Sequence, residues 1–270
     1  VLLLALIFRL LYLYQQPKMH IMKRLLLTIL LFCLVVPFSQ GQLWRMRRWE
    51  LSAGAGPSFF FGDIGGYSRT KNFLGFRDIT YLQTRFDING NFKYRITRVA
   101  NLRLSMTYAM LNATDVRGSN ENREYQSTTS LFEPALIGEY YFIKNRAEMS
   151  YLFIKGRRSF FSQILRSLDF YAFAGIGGAA FNVEPNEALQ ARDMPTSGFA
   201  AVVPGGVGTT LIYNPNLNFG LEFGGRYAFS DFLDGYSSPQ FSKANDVYYF
   251  LNFTLTYKLK TGPRGWPSFR

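Results

Sequence analysis

The chain has 270 residues, with 30 Lys and Arg against 18 Asp and Glu for a formal charge of +12, and is 48% hydrophobic with 27 Phe and 17 Tyr. Beyond its first forty residues no apolar run approaches the roughly 20 residues of a membrane helix, which excludes a helical membrane protein there. A single His and a single Cys, His20 and Cys33, leave little scope for disulfides, His-based metal sites or His-driven catalysis.

Residues 1–41 differ in kind from the rest. Two apolar blocks, 1–14 and 25–38, flank Lys18, Lys23 and Arg24. Met22-Lys23-Arg24 before an apolar run that closes in Pro37-Phe38-Ser39-Gln40-Gly41 reads as a signal peptide, with Ser39 and Gly41 as the small residues before a cleavage after Gly41. The stretch ahead of it reads as a mis-assigned extension, with translation starting at Met19 or Met22. A pair of short inner-membrane helices would need longer blocks. Phe32 stands where a lipobox needs a small residue, so lipidation through Cys33 is rejected. Cleavage would remove His20, Cys33 and four basic residues, Arg9, Lys18, Lys23 and Arg24, with no acidic one, leaving a charge of +8. A basic chain can bind nucleic acid, but a secretory signal argues against that partner.

Residues 42–260 alternate apolar and polar with period two, the pattern of strands. Trp49, Leu51, Ala53 and Ala55 alternate with Glu50, Ser52 and Gly54; Phe86, Ile88, Phe92 and Tyr94 with Arg85, Asp87, Asn91 and Lys93. Leu102, Leu104, Met106 and Tyr108 follow, then less clear strands near 131–143, 169–182 and 198–213. Ala172–Ala180 is so rich in Gly and Ala that its faces are ambiguous, and Pro204 predicts a bulge. Residues 217–229 and 247–259 alternate again. Eight strands result, joined alternately by short turns (97–100, 214–216) and long polar loops (63–82, 114–129, 183–197, 230–245). The expected fold is all-β: an eight-stranded antiparallel transmembrane β-barrel of OmpA/OmpX-like size, with its termini in the periplasm of a bacterial outer membrane. A secreted β-sandwich or lipocalin-like barrel shares the alternation, but a face of Phe, Tyr and Leu behind a signal peptide favours lipid as its neighbour. Residues 261–270, with two Gly and two Pro, form a tail that cannot extend the last strand.

If the apolar faces meet lipid, the polar faces fill the lumen. Arg85, Lys93, Arg95, Arg103 and Arg226 then stand against Glu50, Asp87, Glu133, Glu139 and Glu222. Eight strands leave room for side chains but no aqueous channel, and buried charges must pair, so a salt-bridged plug is expected in preference to a pore. No cofactor, metal or catalytic residue is assigned. A Ser-His-acid site lacks its His, and Glu133 and Glu139 lie about 20 Å apart along one strand. Calcium at Asp231 and Asp234 matches no ligand loop, and a turn-forming role suffices. Gly175-Ile176-Gly177-Gly178 lacks the helix a nucleotide site requires; close strand packing explains it.

One connection breaks the short-turn rule. Residues 144–168 are long and basic, with Lys144, Arg146, Lys155, Arg157, Arg158 and Arg166 against Glu148. Phe161, Ile164, Leu165 and Leu168 have helical spacing. Lys155, Arg157, Arg158, Phe160 and Phe161 are the candidate contacts for a periplasmic partner, and an amphipathic helix on the inner leaflet is the companion reading.

Two stretches carry a family resemblance: Phe59-Phe60-Phe61-Gly62-Asp63-Ile64-Gly65-Gly66 at the end of the first strand, and Arg226-Tyr227-Ala228-Phe229-Ser230-Asp231-Phe232-Leu233-Asp234-Gly235-Tyr236-Ser237 at the end of the seventh. With the strand order of 49–260 they resemble PorG-like small outer-membrane barrels associated with type IX secretion and gliding machinery. The resemblance implies a non-catalytic component that contacts outer-membrane lipids and anchors a periplasmic ring of a lipoprotein and its partner. The alternatives are a small outer-membrane channel and a surface-loop binding protein or adhesin.

Overall fold

The computed structural model describes residues 47–65, 83–116, 121–145, 148–152, 159–237, 245–262 and 265–268. The alternating segments form eight long strands: β1 (Trp49–Phe61), β2 (Arg85–Arg95), β3 (Ala100–Thr114), β4 (Gln126–Ile143), β5 (Leu168–Pro185), β6 (Ser197–Ile212), β7 (Leu217–Ala228) and β8 (Val247–Thr261). Each pairs antiparallel with its neighbour in sequence, and β1 also pairs with β8 from Trp49↔Leu259 to Phe61↔Val247. The sheet therefore closes on itself and leaves no long edge unpaired. The base of the barrel carries the start of β1, the end of β8 and the turns at 96–99 and 213–216; the opposite end carries the long loops.

Among the described residues, shorter elements decorate this frame, including a 3-10 turn at Glu121–Arg123 before β4. Helix α1 (Phe160–Ser167) lies in the β4–β5 connection at the base, and α2 (Glu187–Gln190) in the β5–β6 loop at the other end. A two-residue strand, β9 (Pro267–Ser268), pairs with Lys260 and Thr261. The tail thus turns back on β8 through Gly265, whose φ of +83° lies where Gly is favoured. Trp49 Nε1 donates to the Gly265 carbonyl at 2.8 Å, fastening the turn to β1.

Pro204 makes no bulge, contrary to the expectation from sequence. β6 pairs with β5 through Ala174↔Gly205 and again through Gly177↔Val202 with the register unchanged, while Pro204 itself pairs with Arg226 of β7. Pro57 and Pro134 repeat the arrangement: each pairs with one neighbouring strand and leaves a two-residue gap on the other without shifting register. A proline lacks the donor for one side only, so a closed barrel loses a rung and keeps its order. Close packing accounts for the Gly-Ile-Gly-Gly run: a Cβ on Gly177 would sit 2.7 Å from the Pro134 carbonyl oxygen, and one on Gly175 would overlap the Leu136 carbonyl.

The outward face is an apolar band. Leu104, Met106, Leu136, Ile176, Val203 and Leu255 are exposed along its middle. Exposed aromatics flank them: Tyr140, Phe142, Tyr213 and Tyr257 toward the base, and Phe86, Phe199, Tyr227 and Phe229 toward the loops. Inside, the barrel has two layers. The loop end holds an apolar core that includes Phe60, Leu111, Leu131, Phe181, Val183 and Phe250, joined by Ile64, Leu233 and Tyr236 from the loops. The base half carries the charged and amide side chains beside a smaller buried cluster of Ala135, Ile137, Tyr141, Tyr171 and Phe173. The ambiguity of β5 resolves accordingly: Tyr171, Phe173, Phe181 and Val183 point inward, whereas Asn182 and Glu184, beyond the apolar band, are exposed.

Candidate functional site

The distinctive chemistry of the described residues is the lumen and the two caps at its ends. The lumen residues come from successive strands because every second side chain points inward. Arg103 of β3 is the hub. Its Nη1 lies 2.5 Å from Glu222 Oε2 and 3.1 Å from Glu139 Oε1, and Nη2 donates to Glu222 Oε1 at 3.2 Å. Lys93 Nζ sits 2.9 Å from the same Glu139 oxygen, Asn101 donates to the other, and the Tyr171 hydroxyl donates to Glu222 at 2.8 Å. The guanidinium also stacks over Phe173, 4.9 Å from the ring centre. Toward the apolar layer, Arg226 Nε lies 3.5 Å from Glu133 Oε1 and its guanidinium covers Phe250, while the Tyr248 hydroxyl donates to Glu133.

The remaining predicted lumen residues divide. Glu50 is buried at the base, and Arg95 is engaged by the base cap described below. Asp87 is fully buried, with no ion-pair partner among the described residues and the amides of Asn89 and Asn252 beside it. Arg85 sits at the loop end of β2, where its guanidinium donates to the Thr84 carbonyl and to Asn112 Oδ1; the structure does not bring it to the Arg103 cluster. Lys155, Arg157 and Arg158 lie outside the described residues. Phe160 begins α1, and Phe161 is exposed on it.

The base is closed by the chain after β4. Glu148 forms a bidentate pair with Arg95, 3.0 Å from Nη1 and 2.5 Å from Nη2. Asn145 N donates to Asp169 Oδ1, its side chain donates to the Met149 and Arg166 carbonyls, and Tyr151 N donates to Ser167 Oγ. Burial pushes the Glu148 carboxyl upward, but the Arg95 bonds and charge outweigh it and hold the group at about 2. Burial, aided by Arg95, brings the Lys144 amine down to about 8 against the pull of Asp169. The strap is thus a charged latch. Its stabilising pair is fully present above the ordinary glutamate range near 4.5 and is lost as pH falls through about 2. Glu148→Gln is expected to raise tryptic cleavage of the β4–β5 connection at least about tenfold at neutral pH, since a charge-assisted bond contributes about 1.5–3 kcal/mol; an unchanged cleavage rate would show that the pair does not hold the strap.

The loop end is closed by the two motif segments, which meet. Asp234 is fully buried; its Oδ2 accepts from Asp63 N and Ile64 N at 2.8 and 3.0 Å, and its Oδ1 from Tyr236 N at 2.9 Å. Asp246 accepts from Leu233 N, and Asp115 accepts from Gly65 N and Arg123. Arg123 stacks over Tyr125 and Tyr236. The turn-forming reading of Asp234 was therefore too local: it ties β1 to the β7–β8 loop across 170 residues. Asp246, Asp115 and Glu148 were not singled out from sequence, although Glu148 was legible as the lone acid in a basic stretch. Among the described residues no three His, Cys, Asp or Glu side chains are grouped to hold a metal ion.

No family model matches the chain, and no curated protein matches it. Similar solved structures include a major outer membrane protein from Thermus thermophilus (14% identity, TM-score 0.42, covering 78% of this chain and 99% of that one). Neisserial surface protein A follows at 12% identity and a TM-score of 0.41, with 78% and 96% coverage. The outer membrane protein W of E. coli gives 15%, 0.35, and 78% and 97%. At these values the likeness carries no functional argument; the eight-stranded closure stands on the strand pairing itself.

Proposed function

We propose that this chain is a bacterial outer-membrane β-barrel that acts as a sealed, non-catalytic structural component. The single observation that carries the reading is that, among the described residues, buried charged side chains and an apolar layer fill the lumen, beneath an outer face whose apolar band is flanked by aromatics. Lipid is the environment such a face matches, and a filled interior offers neither a conduction path nor a cleft for substrate. In this reading the β4–β5 connection is the periplasmic contact surface. The Arg95–Glu148 latch holds its first part to the barrel, and Lys155, Arg157 and Arg158 are the residues proposed to contact a partner. A periplasmic ring lipoprotein of a type IX-like secretion apparatus is the partner the family resemblance implies.

The test is affinity purification of a tagged copy from detergent-solubilised outer membranes, with mass spectrometry of what accompanies it. The same preparation is examined in planar bilayers. Recovery of a periplasmic lipoprotein, lost when 153–158 is deleted, is the expected result. A barrel that purifies alone and conducts ions in steady steps would overturn the structural reading in favour of a channel. Ligand capture that survives the deletion and depends on the outer loops would point to an adhesin instead.

A further inference from the structure

Helix α1 carries its apolar side the wrong way round for a helix that only packs against its own barrel. Phe161 and Leu165, one turn apart, are 67% and 50% exposed, whereas Ser167 is fully buried and Ser162 and Gln163 are half-buried. A helix on a water-soluble domain turns its apolar stripe toward the core. Here Phe161 and Leu165 face away from the protein, while Ser162, Gln163 and Ile164 are half-buried and Ser167 is buried against it. The rotation is fixed by hydrogen bonds: Ser167 Oγ accepts from Tyr151 N and donates to the Gln163 carbonyl, and the Arg166 carbonyl accepts from the Asn145 side chain.

Position and charge name the occupant. α1 runs directly into β5 at Leu168. The strand before it, β4, ends in Phe142 and Ile143, both exposed, which places the helix at the base margin of the apolar band. Arg166 is exposed on the same helix. The preceding sequence adds Lys155, Arg157 and Arg158, while Glu148, the one acid of 144–168, is neutralised by Arg95. A short helix with an apolar stripe, a basic flank and a place at the edge of a lipid-facing band has the properties of an interfacial anchor.

We infer that α1 lies in the headgroup–acyl boundary of the membrane leaflet at the base of the barrel, with Phe161 and Leu165 among the upper acyl carbons and Arg166 at the phosphates. The inference rests on the outer-membrane reading above. The occupant is phospholipid and not a protein partner, because the face continues the lipid band. The helix would then hold the strap at the membrane surface.

The experiment uses the full chain with Cys33 exchanged for Ser and one new cysteine labelled with an environment-sensitive fluorophore, at Leu165, Phe161, Ser162 or Met106. Each variant is first checked for a folded barrel by its heat-dependent mobility on gels. The proteins are placed in vesicles of phosphatidylethanolamine and phosphatidylglycerol carrying bromine close to the headgroup or deep in the chains. Labels at Leu165 and Phe161 are expected to shift to the blue and to be quenched several-fold more strongly by shallow bromine than the Ser162 label. The Met106 label, at mid-band, is expected to respond to deep bromine. Water-like, unquenched emission from the Leu165 and Phe161 labels beside a quenched Met106 label overturns the anchor and leaves the barrel reading intact. An unquenched Met106 label overturns both. Shielding that appears only after periplasmic extract is added assigns the face to a protein and likewise overturns the proposal.

Discussion

Replacing Arg103 by leucine is expected to destabilise the barrel by about 3–5 kcal/mol, the cost of leaving one side of a buried ion pair without its partner. Arg103 serves Glu222 with two nitrogens and Glu139 with one, at 2% side-chain exposure. Without it Glu222 retains the Tyr171 hydroxyl and Glu139 retains Lys93, but the two carboxylates lose the cation they share in a closed interior. The double variant Arg103→Leu, Glu222→Gln should recover most of the loss. It restores charge balance, keeps an acceptor for Tyr171 and leaves the Lys93–Glu139 pair in place. Urea unfolding of the detergent-refolded barrel, followed by tryptophan emission, measures both. A single variant within about 1 kcal/mol of the parent would mean that water reaches the cluster and that the lumen is not sealed at this level.

Removing the Asp234 carboxylate should open the outer cap with little effect on the charged layer beneath. Asp234→Ala withdraws the acceptor from three backbone N–H groups, those of Asp63, Ile64 and Tyr236. A buried donor left unsatisfied costs about 1–3 kcal/mol, so exchange of these amides should accelerate by roughly a hundredfold or more. Burial pushes the Asp234 carboxyl up to about 7, with Asp63 adding to the rise, and pushes Asp246 well above the ordinary range, with Asp234 and Asp231 adding. Gly62 separates the two groups; a Cβ there would stand 2.7 Å from Asp234 Oδ2 and 2.8 Å from Asp246 Oδ1.

Because the folded state holds these protons more tightly than the unfolded chain, their contribution is fully present below the ordinary aspartate range near 3.8. It is lost as pH rises through about 7. The outer cap should therefore loosen with rising pH, opposite in sign to the base latch, whose Glu148 weakens only in strong acid. Asp234→Asn should flatten the outer dependence. Hydrogen exchange at Ile64 and Leu233, corrected for intrinsic rates, reads it directly; slower opening at pH 8 than at pH 5 would reverse the assignment.

Strand number, strand order and the outward face were legible because a period-two pattern is a local property: each residue's side is decided by its immediate neighbours. The same holds for α1, whose i, i+4 apolar spacing was visible in Phe161 and Leu165, and for the inward placement of Lys93, Arg103 and Glu222. Sequence alone could not say which charge meets which, since Arg103 and Glu222 lie 119 residues apart and come together only when β1 closes on β8. Nor could it say that Arg85, one more basic residue on an inward position, ends at the rim, because the level a residue reaches depends on strand register around the whole barrel. Pro204 misled for a related reason. In an open sheet a proline marks an edge or a bulge, but here the neighbours on both sides hold the strand in register and the missing donor costs one rung. The β5 ambiguity likewise ended only when Phe181 and Val183 were seen to fill the apolar layer at the loop end. The meeting of Gly62–Gly65 with Leu233–Tyr236 is the plainest case. Each motif reads as a turn by itself, and only the closed barrel makes them the two halves of one cap.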